Sequence, residues 1–147
     1  MNDLELAKEE LKKEGCTFAA AKDGEVISSE KRGVVPLLEM LDSVHEGKGV
    51  SYAGWSCADK VAGKAPAIIY VLLGVKEVYA RVMTREAMRI LGSAGISFTY
   101  EISAETIQNR QGTGMCPMED AVSGIEDPEA AVPAIKARLA ELQKARN

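Results

Sequence analysis

Histidine is all but missing from this chain of 147 residues: His45 is its one example. A single imidazole removes most histidine-based catalytic and metal schemes. No run of about 18 apolar residues occurs, so a membrane-spanning helix is not expected. The longest such stretch, Ala65 to Leu73, has the length of a core helix. Cysteine is limited to Cys16, Cys57 and Cys116, an odd number at wide spacing. That usage fits reduced thiols in a cytoplasm better than a disulfide framework. The first residues, Met1-Asn2-Asp3-Leu4-Glu5, have no basic region followed by an apolar one, so no signal peptide is expected. Excess positive charge is lacking too. Eighteen basic residues face 22 acidic ones, a net of −4, which argues against a nucleic-acid footprint. Internal repeats and low-complexity tracts are absent.

What is present reads as one soluble globular domain spanning residues 1–147, with 46% hydrophobic and 27% charged residues. Leu4, Leu6, Ala7 and Leu11 give a first amphipathic helix that Gly15 ends. Cys16 to Lys22 and Glu25 to Ser29 read as two strands. Asp23-Gly24 between them tolerates the positive φ values of a type I′ hairpin turn. Val34 to Val44 repeats at helical spacing, with Pro36 in its first turn. Ser56-Cys57-Ala58-Asp59 resembles a capping box and predicts a largely buried helix running to Leu72, closed by Gly74. Glu77 to Met83 reads as a strand, Thr84 to Ala94 as a helix and Ser97 to Ile102 as a strand. Residues 103–126 lack regular pattern. Asp127-Pro128 opens a last helix that reaches about Lys144. Strands separated by helices imply parallel crossovers, and the hairpin adds an antiparallel pair. The expected architecture is a three-layer α/β/α domain with a mixed sheet.

Two segments stand out chemically. In Ala58-Asp59-Lys60-Val61-Ala62-Gly63-Lys64-Ala65, the predicted helix puts Asp59 in its first turn and Lys60 and Lys64 on one face. Gly63 between them would admit a ligand. Such a cationic pair near a helix start suits a phosphate or carboxylate. The plain alternative is a capping Asp59 with two solvated lysines. The segment is not a P-loop, because Ala58 and Ala65 stand where Gly and Ser or Thr are required. In Asn109-Arg110-Gln111-Gly112-Thr113-Gly114-Met115-Cys116-Pro117-Met118-Glu119, the paired glycines could form an anion nest. There Cys116 could serve as a thiol nucleophile or metal ligand, or the segment could be a ligand-capping loop. A structured surface loop is the plain alternative. Cys57-Ala58-Asp59 also evokes half of a zinc deaminase signature. The other half is missing, since Met83-Thr84-Arg85-Glu86-Ala87 has neither Pro nor Cys. Cys57 and Cys116 would need a third ligand from His45, Cys16 or Asp59. Tyr52 and Trp55 could stack on a planar ligand or form a rim of the core.

These two segments resemble the signatures of a small prokaryotic domain-of-unknown-function family with a cytidine deaminase-like fold. Lys22-Asp23-Gly24-Glu25-Val26, Arg32-Gly33-Val34 with Pro36-Leu37-Leu38, and Gly74 to Ala80 match it as well, so the resemblance spans roughly residues 3–135. It implies a mixed five-stranded sheet and a site at the start of the helix from Cys57. It implies no activity. Taken together, the expectation is a zinc-independent enzyme or degenerate enzyme, using no cofactor, acting on a nucleoside-like, nucleotide-like or anionic small molecule. Asp59, Lys60, Cys116 and Glu119 are its catalytic candidates. Lys64, Gly63, Asn109, Arg110, Gly112, Thr113 and Gly114 are its ligand-binding candidates. A non-catalytic binding or regulatory module is the alternative, and a zinc deaminase with rearranged ligands is the second. Self-association is compatible with the sequence; nucleic-acid and membrane partners are not expected.

Overall fold

The computed structural model describes residues 1–109 and 111–146. The chain opens with α1 (Asp3–Leu11), then β1 (Phe18–Lys22), β2 (Glu25–Ser29), α2 (Val35–His45) and β3 (Ser56–Ala62). It continues through α3 (Lys64–Leu73), β4 (Glu77–Thr84), α4 (Arg85–Ser93), β5 (Ser97–Ala104), α5 (Pro117–Ala121) and α6 (Pro128–Arg146). The five strands form one mixed sheet in the order β2-β1-β3-β4-β5. β1 runs antiparallel to both β2 and β3, whereas β3, β4 and β5 are mutually parallel.

The hairpin forms as its residues dictate. Asp23 and Gly24 adopt φ values of 50° and 84°, the left-handed pair that a type I′ turn requires. The Asp3 carboxylate accepts both turn amides, at 3.0 and 3.2 Å, which ties α1 to the hairpin. Along β1 the side chains alternate. Phe18 and Ala20 enter the larger core, with α2, α3 and Leu91 of α4. Ala19 and Ala21 enter a smaller one beneath α1, with Ala7, Leu11 and Ala58. Helices thus cover both faces of the sheet, with α1 alone on one.

The predicted helix from Ser56 is corrected. Ser56 to Ala62 is the central strand β3, and the helix begins only at Lys64. Cys57 faces the larger core and Ala58 the smaller one, so a strand buried on both sides has no polar face to show its period of two. Ser56 accordingly is not an N-cap; its hydroxyl donates to Glu77 Oε2 on β4 at 2.6 Å. Lys60 and Lys64 do not share a helical face, and Asp59 is not in a first helical turn.

Candidate functional site

The site begins where β3 ends. Gly63 is extended, with φ −103° and ψ −161°, and precedes the first turn of α3. The first amides of a helix have no partner within it. Here the Glu119 carboxylate of α5 supplies partners: Lys64 N–H donates to Oε1 at 2.7 Å and Ala65 N–H to Oε2 at 2.9 Å. Gly63 is required by the closeness of this approach. A Cβ at that position would lie 2.2 Å from Glu119 Oε1 and 2.6 Å from Ile107 Cδ1. The second distinctive segment therefore closes onto the first through Glu119. Arg138 of α6 holds the same short helix from behind, donating to the Pro117 carbonyl at 2.9 Å and to Asp120 at 3.1 Å.

Beside this junction lies a cleft of about 300 Å³. It opens at the carboxyl ends of β3, β4 and β5, the usual ligand position of an α/β sheet. Lys64, Thr84, Glu86, Glu105, Ile107, Glu119 and Glu126 are among its walls. Lys64 has a side chain only 11% exposed, and its one ion pair among the described residues is with Glu126 Oε1 at 3.8 Å. That distance is too long for a hydrogen bond. The carboxylates at the mouth are tied to arginines. Glu105 meets Arg85 at 2.9 Å, and Glu126 meets Arg89 at 3.3 Å. Hydrogen bonding from Arg89 holds the Glu86 carboxyl below the usual carboxylate range. Thr84 accepts the Ala87 amide at 3.1 Å and so caps α4.

The sequence candidates separate into groups. Lys64 and Glu119 line the cleft, and Gly63 touches Glu119 at its edge. Asp59 does not line it. Its carboxyl is buried beneath α3 and accepts a hydrogen bond from the Tyr70 hydroxyl at 2.9 Å. Burial pushes its pKa up to about 7, against smaller opposing effects from Tyr70 and the amides of Lys60 and Val61. Burial likewise pushes the neighbouring Cys57 thiol well up. Lys60 is exposed on β3. Cys116 is half-buried at the start of α5, its amide donating to the Ile107 carbonyl at 2.7 Å. Asn109, Gly112, Thr113 and Gly114 form a self-closed turn. The Asn109 side chain both accepts the Thr113 amide at 3.0 Å and donates to its hydroxyl at 3.1 Å, and the Asn109 amide donates to Gly114 at 2.8 Å. Those groups are engaged with one another. Arg110 lies outside the described residues.

No three His, Cys, Asp or Glu side chains among the described residues come together as a metal-holding group. Cys16 packs under α1, apart from the core that contains Cys57. Tyr52 and Trp55 meet edge to face, with ring centroids 5.9 Å apart, and Trp55 is buried as part of the core. Among the described residues no helix is long and apolar enough to cross a membrane. The charged and polar cleft residues that the sequence did not single out include Thr84, Glu86, Glu105 and Glu126. Thr84 and Glu105 stand at strand ends, and that position is the signal that could have found them.

Fold and cleft together define a mixed-sheet α/β protein with a pocket of mixed charged and apolar lining at the carboxyl ends of its parallel strands. A family model, TM1506: Domain of unknown function (DUF1893), matches residues 6–139, and the chain belongs to that family. Among solved structures it is similar to a DUF1893 family protein (TM1506) from Thermotoga maritima. The two are 24% identical with a TM-score of 0.77, over 94% of this chain and 88% of the other. That likeness supports the fold. No curated protein matches the chain.

Proposed function

We propose that this DUF1893 chain is a zinc-independent binding module of cytidine deaminase-like architecture that takes a nucleoside-sized polar molecule into the cleft beside Lys64. The strand order, with an antiparallel β1 inside an otherwise parallel run, supports the architecture alongside the sequence resemblance. The observation that carries the binding reading is Lys64. A lysine side chain that is nearly buried, yet among the described residues has only a 3.8 Å carboxylate partner, is positioned to donate to an oxygen brought from outside. A volume of about 300 Å³ sits at the lower end of small-molecule pockets and suits a metabolite rather than a polymer.

Binding is favoured over catalysis by where the proton-transfer candidates lie. Asp59 has an ionisation suited to acid-base work, but it is sealed under α3; Cys116 is not among the cleft walls, and Glu119, which is, has both oxygens held by the Lys64 and Ala65 amides. Thermal unfolding with a panel of nucleosides and polar metabolites tests the reading. A ligand at about 100 times its Kd stabilises by roughly 2.7 kcal/mol. Lys64→Met is expected to abolish the shift while remaining folded; retention of the full shift in that variant would refute the reading.

A further inference from the structure

We infer that the cleft selects a ligand bearing an acceptor oxygen and an amine but no phosphate, and that Glu119 enforces this choice by filling an anion site with the protein's own carboxylate. The inference rests on the binding reading above. The start of α3 has the parts of an anion site: two outward amides, a helix start carrying partial positive charge, a glycine without a side chain, and an adjacent lysine. In this chain both amides are already taken by the two oxygens of Glu119, at 2.7 and 2.9 Å. A phosphate could bind there only by displacing that carboxylate and then lying beside it.

The mouth reinforces the selection. Glu105 and Glu126 have side chains 73% and 72% exposed and face an incoming ligand with negative charge. Glu86 adds a third carboxylate. Among the described residues, four glutamates and one lysine, Lys64, line the cleft, a formal balance of −3 from −4 and +1. Counting the arginines behind the mouth, Arg85 and Arg89, the balance is still −1. A phosphate dianion meets net repulsion in that field, whereas an amino group can donate a hydrogen bond to a mouth carboxylate. The acceptor oxygen then goes to Lys64, whose nearest carboxylate among the described residues, Glu126 at 3.8 Å, lies beyond hydrogen-bond distance. A nucleoside's exocyclic amino group offers a neutral donor and a free amino acid an ammonium, and each molecule also carries an acceptor oxygen for Lys64.

The test compares matched probes on the full chain by thermal unfolding and calorimetric titration: adenosine with its 5′-monophosphate, serine with O-phosphoserine, and inorganic phosphate alone. An unphosphorylated member is expected to bind at least about tenfold more tightly than its phosphorylated partner. Whether adenosine or serine does so separates the two sources. Glu119→Gln should shrink that ratio to below about threefold by admitting the phosphorylated member. If that variant does not fold, Glu105→Gln with Glu126→Gln, which leaves the α3 cap intact, should shrink the ratio instead. A phosphorylated probe binding wild type as well as its partner, with binding lost in Lys64→Met, would overturn the inference and leave the binding reading standing. A ratio unmoved by the glutamate variants would also overturn it. If no probe binds wild type, both fall.

Discussion

Gly63 is the residue on which the junction of the two segments turns. Its φ and ψ are open to any residue, so the cost of Gly63→Ala comes from contact alone: the new methyl would overlap Glu119 Oε1. Denaturant unfolding should show a loss of about 1–3 kcal/mol, the range for overpacking a well-filled site. In a Glu119→Ala background the same change should cost less, because the overlapped carboxylate is gone and only the flexible end of Ile107, 2.6 Å from the new methyl, still has to give way. Equal costs in both backgrounds would contradict the contact. Asp59 makes a separate prediction. Its folded pKa of about 7 lies above the roughly 3.9 of an unfolded aspartate. Below the lower value both states bind the proton. As pH rises between the two values the unfolded chain releases it while the folded chain retains it, so stability falls across that interval. Asp59→Asn keeps an acceptor for Tyr70 and removes the titration. Its stability relative to wild type should therefore rise from about pH 4 to about pH 7 and level off above. A flat difference between the two proteins would contradict the buried neutral carboxyl.

At the scale of elements, α5 is a five-residue helix that serves α3 from outside. Glu119→Ala should cost about 0.5–2 kcal/mol, as loss of a helix cap does. Hydrogen exchange should accelerate at the Lys64 and Ala65 amides before it does in the rest of α3; unchanged protection there would contradict the cap. Elements also decide what was readable in advance. The hairpin was legible because Asp23-Gly24 carries a purely local backbone demand. The start of α6 was legible because Asp127 caps it locally, accepting the Glu129 amide at 3.0 Å. β3 was not legible as a strand, since a strand buried on both faces reads like a buried helix. One local signal pointed the right way. Pro66 sits in the first turn of the real helix, where proline is tolerated, but would have been deep inside a helix begun at Ser56. Lys64 and Glu119 were legible as unusual residues. That Glu119 bonds a backbone 55 positions earlier was not, because the pairing is purely tertiary.

For the whole molecule, the sheet topology brings the carboxyl ends of three parallel strands to one edge, and the segment after β5 folds back over them. The result is a cleft with a nearly buried lysine, a self-occupied helix start and an acidic mouth, while the buried acid and thiol of β3 serve the core. The role proposed for Lys64 is to receive a small polar ligand there. The most direct measurement is two-dimensional ¹H–¹⁵N NMR of the full chain titrated with adenosine and with serine, on wild type and on Lys64→Met. Saturable shifts confined to the amides around Lys64, Thr84, Glu105 and Glu126 are expected for at least one probe, and their absence is expected in the variant. Shifts elsewhere in the molecule, or shifts that survive the loss of Lys64, would contradict that role.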